Sequence, residues 1–498
     1  MTGIRRLPDG LRVRARNMGD RVAHDDTRRV LTFAEWDCGA DALGGGLAAA
    51  GLAPGDRVFL AISNAHAVEM AIAVMGVLRA GGIAVPLNTR LAKQEVSEYA
   101  ELVGPRFAIT DNPEQIAHVA FDRLWTVENW PRNEAALPDQ DALDPEADAE
   151  ILGTSGTTGR IKGVVISHPD LLGRVGDATA MDRSTSTLHA LAFTGSGGNL
   201  GTLVLPIYGG ATSYTQPQFD PGGFLKLVEE KQPMTVYLVP TMLRLVLDHP
   251  DAPKTNFSSV KYLLTGTAPL PHDSVVRAMT LWPHVSIRNS YGMSEGGIGA
   301  ATRTKEAVLK PGCVGTMGPH MQIRDENCKP VPRGIVGEIY GKQPHPRRYW
   351  NDPAATRAGW VDGWIRTGDL GYVDEDGDLI LTGRSKEVII RGGYNIAPLE
   401  IEHVLHLHPA VKDAAAVGVS HPVLGEDVAA AVSLRPGAEV TPAELESWCR
   451  QRIASNKVPR TIVILPSLPQ NQSAKILKRE LKPVLEKAAA AHRAARTA

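Results

Sequence analysis

The chain has 498 residues, of which 43% are hydrophobic and 22% charged, and its net charge is −2 at pH 7. The length predicts more than one globular domain, and the near-neutral charge gives no electrostatic reason to expect nucleic acid as a partner. Scattered cysteines without a CxxC pair predict a reduced, cytoplasmic protein. The N-terminus lacks the apolar core of a signal peptide, and the short apolar stretch 70–78 predicts a buried helix rather than stable membrane insertion.

The first half of the chain alternates between helical and extended patterns. Residues 65–80 are apolar at helical spacing and stop at a Gly-Gly pair, a C-terminal helix signal. We expect the following strands and helices in turn: strand 83–88, helix 91–102, strand 106–110, helix 222–231, strand 234–240, helix 241–248 and strand 260–266. This alternation predicts an α/β fold with largely parallel, covered sheets.

The composition of the sequence changes near residue 384. Residues 361–384 are rich in Gly and Asp, and a smaller βα pattern follows them. In that second part Thr441 and Glu444 form a capping box with Pro442 at the first helical position, which predicts a helix start. We therefore expect an N-terminal domain at 1–384, a hinge at 385–387 and a C-terminal domain at 388–498.

The segment from Gly153 to Gly163 combines glycines, hydroxyl side chains and Lys162. Glycines let backbone N–H groups close around an anion, and the hydroxyls and the lysine add further donors for a polyphosphate. The spacing is neither that of a Walker A loop nor that of GxGxxG. On composition alone, a flexible Ser/Thr/Gly loop is an equal alternative.

Further motifs follow this segment in a fixed order. They read YGMSE at 291–295, GWIRTGD at 363–369, GRSKE at 383–387, GGYNI at 392–396 with EIE at 400–402, and NQSAKI at 471–476. Together with residues 153–163 they resemble the adenylate-forming superfamily, which includes acyl-CoA synthetases, peptide-synthetase adenylation domains and firefly luciferase. The resemblance implies a large N-terminal domain of layered α/β subdomains with a small β piece, then a smaller, mobile α+β C-terminal domain.

The resemblance also implies a role for individual residues. Lys475 is the implied catalytic lysine of adenylation, Glu295 the implied Mg²⁺ ligand, Lys386 the hinge residue, and Gly392 and Gly393 the lining of the CoA channel. The implied ATP-binding set is Thr154, Ser155, Gly156, Thr157, Thr158, Gly159, Lys162, Thr267, Ala268, Asn289, Ser290, Tyr291, Gly292, Ser294, Asp369, Arg384 and Lys475. The implied acyl pocket contains Phe193, Thr194, Gly195, Asn199, Gly266, Gly292 and Met293.

One part of this region has a competing interpretation. Residues 292–296 also fit GxSxG, the nucleophile elbow of hydrolases, with Ser294 as nucleophile. That elbow needs a helix after the serine, and the sequence that follows, EGGIGAATRT, is a poor helix start. We therefore favour a nucleotide-binding role for Ser294.

The sequence departs from the family pattern at several positions. Ile161 stands where proline is usual, Thr267 takes the second place of a usual Gly-Gly-Ala-Pro, and Ala474 precedes the lysine where glycine is usual. In the stretch 188–201 the family's gate histidine is absent and small residues follow Phe193. This predicts a roomy acyl pocket, suited to a bulky or cyclic acid.

The combined reading is an acid–thiol ligase that uses ATP, Mg²⁺ and coenzyme A. It would convert a carboxylic acid to acyl-AMP with release of pyrophosphate and then transfer the acyl group to CoA. Three alternatives stay open: loading of a separate carrier protein, a non-catalytic nucleotide-binding protein and a luciferase-like oxygenase. A homodimer is an open expectation for the assembly.

Overall fold

The computed structural model describes residues 4–155, 161–173, 185–302, 304–470 and 476–497. Its helices are α1 (Leu7–Met18), α2 (Phe33–Ala49), α3 (Ala67–Arg79), α4 (Lys93–Val103), α5 (Pro113–Ile116), α6 (His168–Gly173), α7 (Ser196–Asn199), α8 (Leu205–Gly209), α9 (Pro221–Lys231), α10 (Pro240–Asp248), α11 (His272–Leu281), α12 (Lys305–Leu309), α13 (Pro353–Gly359), α14 (Pro398–His406), α15 (Pro442–Arg450) and α16 (Lys478–Thr497). A π-helical turn, Leu200–Val204, joins α7 to α8, and 3₁₀ turns occur at Asn64–His66, Glu134–Ala136 and Ser385–Glu387.

The strands within these described residues form four sheets. They are β1 (Val22–Asp25), β2 (Val30–Thr32), β3 (Arg57–Ala61), β4 (Ile83–Pro86), β5 (Phe107–Thr110), β6 (Arg123–Thr126), β7 (Asp148–Ser155), β8 (Ile161–Ser167), β9 (Ser186–His189), β10 (Thr212–Thr215), β11 (Thr235–Tyr237), β12 (Tyr262–Gly266), β13 (Ser286–Met293), β14 (Gly296–Ala301), β15 (Cys313–Thr316), β16 (Met321–Arg324), β17 (Gly337–Lys342), β18 (Arg348–Tyr349), β19 (Trp360–Val361), β20 (Trp364–Val373), β21 (Asp378–Arg384), β22 (Ile389–Arg391), β23 (Tyr394–Ile396), β24 (Val411–His421), β25 (Gly425–Leu434) and β26 (Thr461–Ile464).

Two large sheets form the layered part of the fold. One has the order β18-β8-β7-β4-β3-β5-β6, and the other has the order β14-β13-β12-β11-β9-β10-β1-β2. All thirteen residues of α3 are buried, and α3 packs against α2 in the largest hydrophobic core. A helix that is apolar all round belongs inside a layered domain, which explains the long apolar run at 70–78.

Several of the predicted site residues lie where strands of these two sheets end. Strands β9, β11, β12 and β13 are parallel neighbours, so their carboxyl ends share one edge. Ligands of α/β proteins bind at this edge. Two antiparallel hairpins, β7–β8 and β13–β14, bring the Gly153–Gly163 segment and the YGMSE segment to the site.

A third sheet, β15-β21-β20-β17-β16 with β19 beside β20, carries the GWIRTGD and GRSKE segments. The fourth sheet, β23-β22-β25-β24 with β26 beside β25, has its own hydrophobic core and is covered by α14, α15 and α16. The predicted α/β fold with a large N-terminal and a smaller C-terminal domain is confirmed. The boundaries at 384, 385–387 and 388 stay predictions.

Two ion pairs connect the fourth sheet to the N-terminal part. Arg244 of α10 contacts Asp413 of β24 at 2.8 Å and also donates to the Lys412 carbonyl. Arg435 contacts Asp273 of α11 at 2.8 Å. The first pair is nearly buried, with both side chains 11% exposed, so it lies inside the contact between the two parts.

Candidate functional site

The two ends of the Gly153–Gly163 segment belong to the antiparallel strands β7 and β8. Thr154 pairs with Lys162 and Ser155 with Ile161, so the two ends of the segment lie side by side. Gly156, Thr157, Thr158 and Gly159 lie outside the described residues. The Lys162 ammonium lies 4.6 Å from the centre of the Tyr349 ring, a cation–π distance. The pairing of the two strands thus places a hydroxyl, Thr154, opposite a lysine.

Four of the predicted ATP residues, Thr267, Ala268, Asn289 and Ser290, lie in β13 or directly after β12. Thr267 has a φ of 70°, a conformation that costs a β-branched residue energy and suits the glycine usual in the family. Asn289 donates its side-chain amide to the Cys313 carbonyl at 3.1 Å, and Ser290 donates its hydroxyl to the Thr265 carbonyl at 2.8 Å. These two side chains therefore brace the strand ends. Ala268, half-buried, follows Thr267.

Tyr291, Asp369 and Arg384 form one hydrogen-bonded group. The Tyr291 hydroxyl donates to Asp369 Oδ2 at 2.6 Å, and Arg384 Nε contacts Asp369 Oδ1 at 2.9 Å. Asp369 and Arg384 are paired residues of β20 and β21. Burial and the Asp369 carboxylate raise the pKa of Tyr291, so its hydroxyl stays a donor. Three residues that are far apart in the chain are brought together as the sequence predicts.

Glu295 lies in the turn of the β13–β14 hairpin, close to the β7–β8 hairpin. Its Oε1 accepts from the Tyr349 hydroxyl at 3.2 Å and lies 3.5 Å from the Thr154 hydroxyl, so Glu295 is close to the base of the predicted phosphate turn. Burial and Glu295 raise the pKa of Tyr349. Residue Ser294 is followed by β14 rather than by a helix. The hydrolase elbow therefore does not form, which agrees with the nucleotide-binding interpretation of this serine.

The donors around Glu295 fit Mg²⁺. Carboxylate and hydroxyl oxygens are the hard ligands that this ion prefers, and Mg²⁺ is commonly held by one or two carboxylates together with substrate phosphates. Within the described ranges, no group of three or more His, Cys, Asp and Glu side chains could form a metal site alone. An ion at Glu295 would thus need the phosphates to complete its coordination.

The predicted acyl segment divides between core and surface. Phe193 is buried in the largest hydrophobic core, Thr194 is half-buried and Gly195 is exposed. A Cβ added at Gly197 would lie 3.1 Å from the hydroxyl of Tyr237, a buried residue of β11. Gly197 therefore packs closely against a tyrosine that the sequence analysis did not single out.

Asn199 has an unexpected partner. It is fully buried, and its amide donates to both oxygens of Glu150 at 2.8 and 3.0 Å. Burial raises the pKa of Glu150 to about 7, although the hydrogen bond from Asn199 and the nearby Arg347 act in the opposite direction. Sequence reasoning missed Glu150, yet a carboxylate in the apolar run Ala-Glu-Ile-Leu of β7 was a visible signal.

Gly266, Gly292 and Met293 complete the acyl set. Gly266 and Met293 end β12 and β13, and Gly292 is exposed. A Cβ added at Gly266 would lie 2.6 Å from the Ser290 carbonyl oxygen, so only glycine fits this close approach of parallel strands.

The remaining predicted residues lie in or beside the fourth sheet. Gly392 and Gly393 form the exposed turn between β22 and β23, with φ of 57° and 86°. Lys386 is exposed in the 3₁₀ turn Ser385–Glu387. Lys475 lies outside the described residues; the two ends of its segment, Gln470 and Ile476, pair with each other. The structure therefore brings Tyr291, Asp369 and Arg384 together and leaves the Gly392–Gly393 turn on the surface.

Similarity to known proteins covers nearly the whole chain. The family model of AMP-binding enzymes matches residues 11–350, and that of the AMP-binding enzyme C-terminal domain matches residues 400–475. Feruloyl-CoA synthase of an Amycolatopsis species is 33% identical over 93% of this chain and 95% of its own length. The fatty acid–[acyl-carrier-protein] ligase ScoC of Streptomyces coeruleorubidus is 30% identical over 91% of each chain.

The comparison with solved structures gives the same result as the comparison with these relatives. ATP-bound MatB from Rhodopseudomonas palustris superposes with a TM-score of 0.87 and 27% identity, over 97% of this chain and 99% of that one. None of the described helices combines the length and the apolar character needed to cross a membrane. The motif resemblance is thus confirmed, and the chain belongs to the AMP-binding enzyme family, that is, to the adenylate-forming superfamily.

Proposed function

We propose that this protein is an ATP-dependent acyl-CoA synthetase. Its substrates are a carboxylic acid, ATP and CoA, and its products are the acyl-CoA, AMP and pyrophosphate. The observation that carries the proposal is a set of contacts around the YGMSE segment. Glu295 lies 3.5 Å from the Thr154 hydroxyl, and Tyr291 of the same segment donates to Asp369, which pairs with Arg384. The CoA-ligase names of relatives that align over almost the full chain support the acid and the thiol as co-substrates.

In the first half-reaction the protein binds and orients ATP. The segment after Thr154 and the Lys162 ammonium bind the phosphates, and the Asp369 carboxylate accepts hydrogen bonds from the ribose hydroxyls. Glu295 would hold Mg²⁺, which would neutralise charge on the phosphate oxygens. Lys475 stabilises the negative charge that develops as the acid's carboxylate attacks the α-phosphorus and pyrophosphate leaves.

In the second half-reaction the thiol of CoA attacks the acyl carbon and AMP leaves. The Gly392–Gly393 turn is exposed, so our proposal requires the C-terminal domain to rotate about Lys386 and bring this turn to the acyl-AMP. Glycines suit the lining of a narrow channel because they carry no side chain. Rotation would break the Arg244–Asp413 contact.

The proposed acid is bulky or cyclic. This proposal rests on the small residues that follow Phe193: Gly195 is exposed with space beside it, and Gly197 packs closely against the Tyr237 side chain. The similarity to feruloyl-CoA synthase favours an aryl acid within this class. A cytoplasmic location and a homodimer belong to the same proposal and are checked by fractionation and light scattering.

The experiment measures pyrophosphate release with short, fatty, aryl and polycyclic acids, each with and without CoA. We expect release with one acid class and conversion of that acid to a thioester. Release without acylation of CoA would favour a carrier protein as acceptor, as the relative ScoC suggests. Absence of release with every acid, in a chain that binds ATP by calorimetry, would contradict the synthetase assignment.

Two variants separate the half-reactions. Lys475→Ala should lower adenylation by about 10²–10³, the scale for loss of one preorganised charge, while pre-made acyl-AMP is still converted to the thioester. Gly393→Leu should block thioester formation and spare adenylation. If the Lys475→Ala protein adenylates at the normal rate, the proposed role of Lys475 in adenylation is wrong.

A further inference from the structure

A buried ion pair lies beside the proposed nucleotide site. Arg347 precedes β18, and its Nε contacts Oδ2 of Asp170, a residue of α6, at 2.7 Å. The two side chains are 1% and 7% exposed. Burial removes the hydration of both charges, and the attraction within the pair must offset this large desolvation cost. A buried ion pair is therefore weak evidence for stability by itself. Among the described residues, Arg347 Nη2 has no hydrogen-bond partner, which adds to this cost.

The same guanidinium makes a second contact that points to the site. Arg347 Nη1 donates to the carbonyl oxygen of Ser294. Residue 294 immediately precedes Glu295, so this bond fixes the peptide that carries the proposed metal ligand. The planar fork of an arginine can bind a carboxylate with one edge and a carbonyl with another, whereas a lysine ammonium offers no such fixed geometry.

The strand that follows Arg347 holds the other end of Glu295. Tyr349 donates to Glu295 Oε1, and β18 pairs with β8, the strand that carries Lys162. The Trp350 N–H also donates to the Gly163 carbonyl at 2.7 Å. Residues 347–350 therefore tie the phosphate hairpin to both the backbone and the carboxylate of Glu295.

We propose that Arg347, oriented by Asp170, is a positioning residue that aims Glu295 at the metal and the phosphates of bound ATP. This inference rests on the proposed function, because it assigns that role to Glu295. Arg347 acts through the Ser294–Glu295 peptide and does not itself touch the substrate. Partners of this kind tune metal affinity, and their loss typically costs about 10–100-fold.

The test compares four variants with the wild-type chain, of which Arg347→Lys is the fourth. Arg347→Met removes the guanidinium, and the double variant Arg347→Met/Asp170→Asn also removes the carboxylate that the single change would leave buried and unpaired. Arg348→Met is the matched control, because Arg348 is the next residue along the chain but is half-exposed and pairs with Asp148. Thermal unfolding of each variant identifies the folded proteins to be compared.

The first measurement is calorimetric titration of Mg²⁺ into protein saturated with α,β-methylene-ATP, and the second is the Mg²⁺ dependence of pyrophosphate release. We expect the double variant to bind Mg²⁺ at least about tenfold more weakly and to need correspondingly more Mg²⁺, with Arg348→Met unchanged. Conversion of pre-made acyl-AMP to the thioester should be unaffected. Arg347→Lys keeps the positive charge, so its Mg²⁺ affinity should lie between those of the double variant and the wild type. This variant replaces the double variant in the comparison if the double variant does not fold.

The outcomes separate this inference from the proposed function. A folded double or Arg347→Lys variant with wild-type Mg²⁺ affinity and dependence would overturn the positioning role. If the wild-type chain binds Mg²⁺ with the analogue but releases no pyrophosphate, the synthetase proposal fails while the calorimetric comparison still decides on Arg347. If the wild-type chain binds no Mg²⁺ with the analogue, the role of Glu295 and that of Arg347 both fail.

Discussion

The buried Glu150 carboxyl should make the stability of this protein depend on pH, and Glu150→Gln should remove that dependence. The side chain is fully buried in β7, and burial raises its pKa from the usual 4.5 to about 7. A raised pKa means that the folded chain binds this proton more tightly than the unfolded chain. The free energy of unfolding therefore falls as pH rises from about 4.5 to about 7, and the contribution amounts to about 3 kcal/mol.

Glutamine has the size of glutamate, and its oxygen can still accept from the Asn199 amide. Urea unfolding of both proteins, followed by tryptophan fluorescence at about pH 5 and pH 8, measures the difference. We expect Glu150→Gln to be more stable than the wild type by up to about 3 kcal/mol at pH 8, with most of the difference gone at pH 5. Glu146→Gln, at an exposed position before β7, is the control for loss of one charge. A difference that is equal at the two pH values would refute the reasoning.

Three further changes test the site and its surroundings. Thr267→Gly should raise the free energy of unfolding by about 1 kcal/mol, measured in urea, because glycine adopts the φ of 70° without strain. Tyr291→Phe should raise the KM for ATP about tenfold with little change in kcat, because Asp369 loses a charge-assisted hydrogen bond while the ring remains; an unchanged KM would contradict this role. Arg244→Ala should speed tryptic cleavage at residues 384–386 several-fold by releasing Asp413, whereas equal cleavage rates would show that the pair does not hold the domains.

Local patterns in the sequence predicted the positions of several helices well. The apolar spacing at 65–80 corresponds to α3, and the Thr441 capping box begins α15 as expected, with the hydroxyl accepting from the Glu444 N–H. These features depend on neighbours within a few residues. The predicted strand at 234–240 is shorter in the structure, because Pro240 starts helix α10 instead of ending the strand.

The partners of the site residues could not be predicted in the same way. Glu150 meets Asn199 across 49 residues, and Arg347 meets Asp170 across 177 residues. Such contacts depend on how hairpins and helices pack, and no local pattern encodes them. Motif resemblance named Asn289 and Ser290 as nucleotide residues, and only the structure reveals that their side chains join β13 to β15 and to β12, respectively.

The π-helical turn at Leu200–Val204 bears on how this site can evolve. A π turn holds about one residue more than an α turn, so it absorbs an insertion without shifting the helix beyond it. The turn lies directly after residues 193–199, and its Leu203 and Val204 are anchored in the hydrophobic core. The predicted acyl segment can therefore change in length as well as in composition. We expect deletion of one residue between Thr194 and Gly198 to be absorbed by this turn, so that β10 keeps its register.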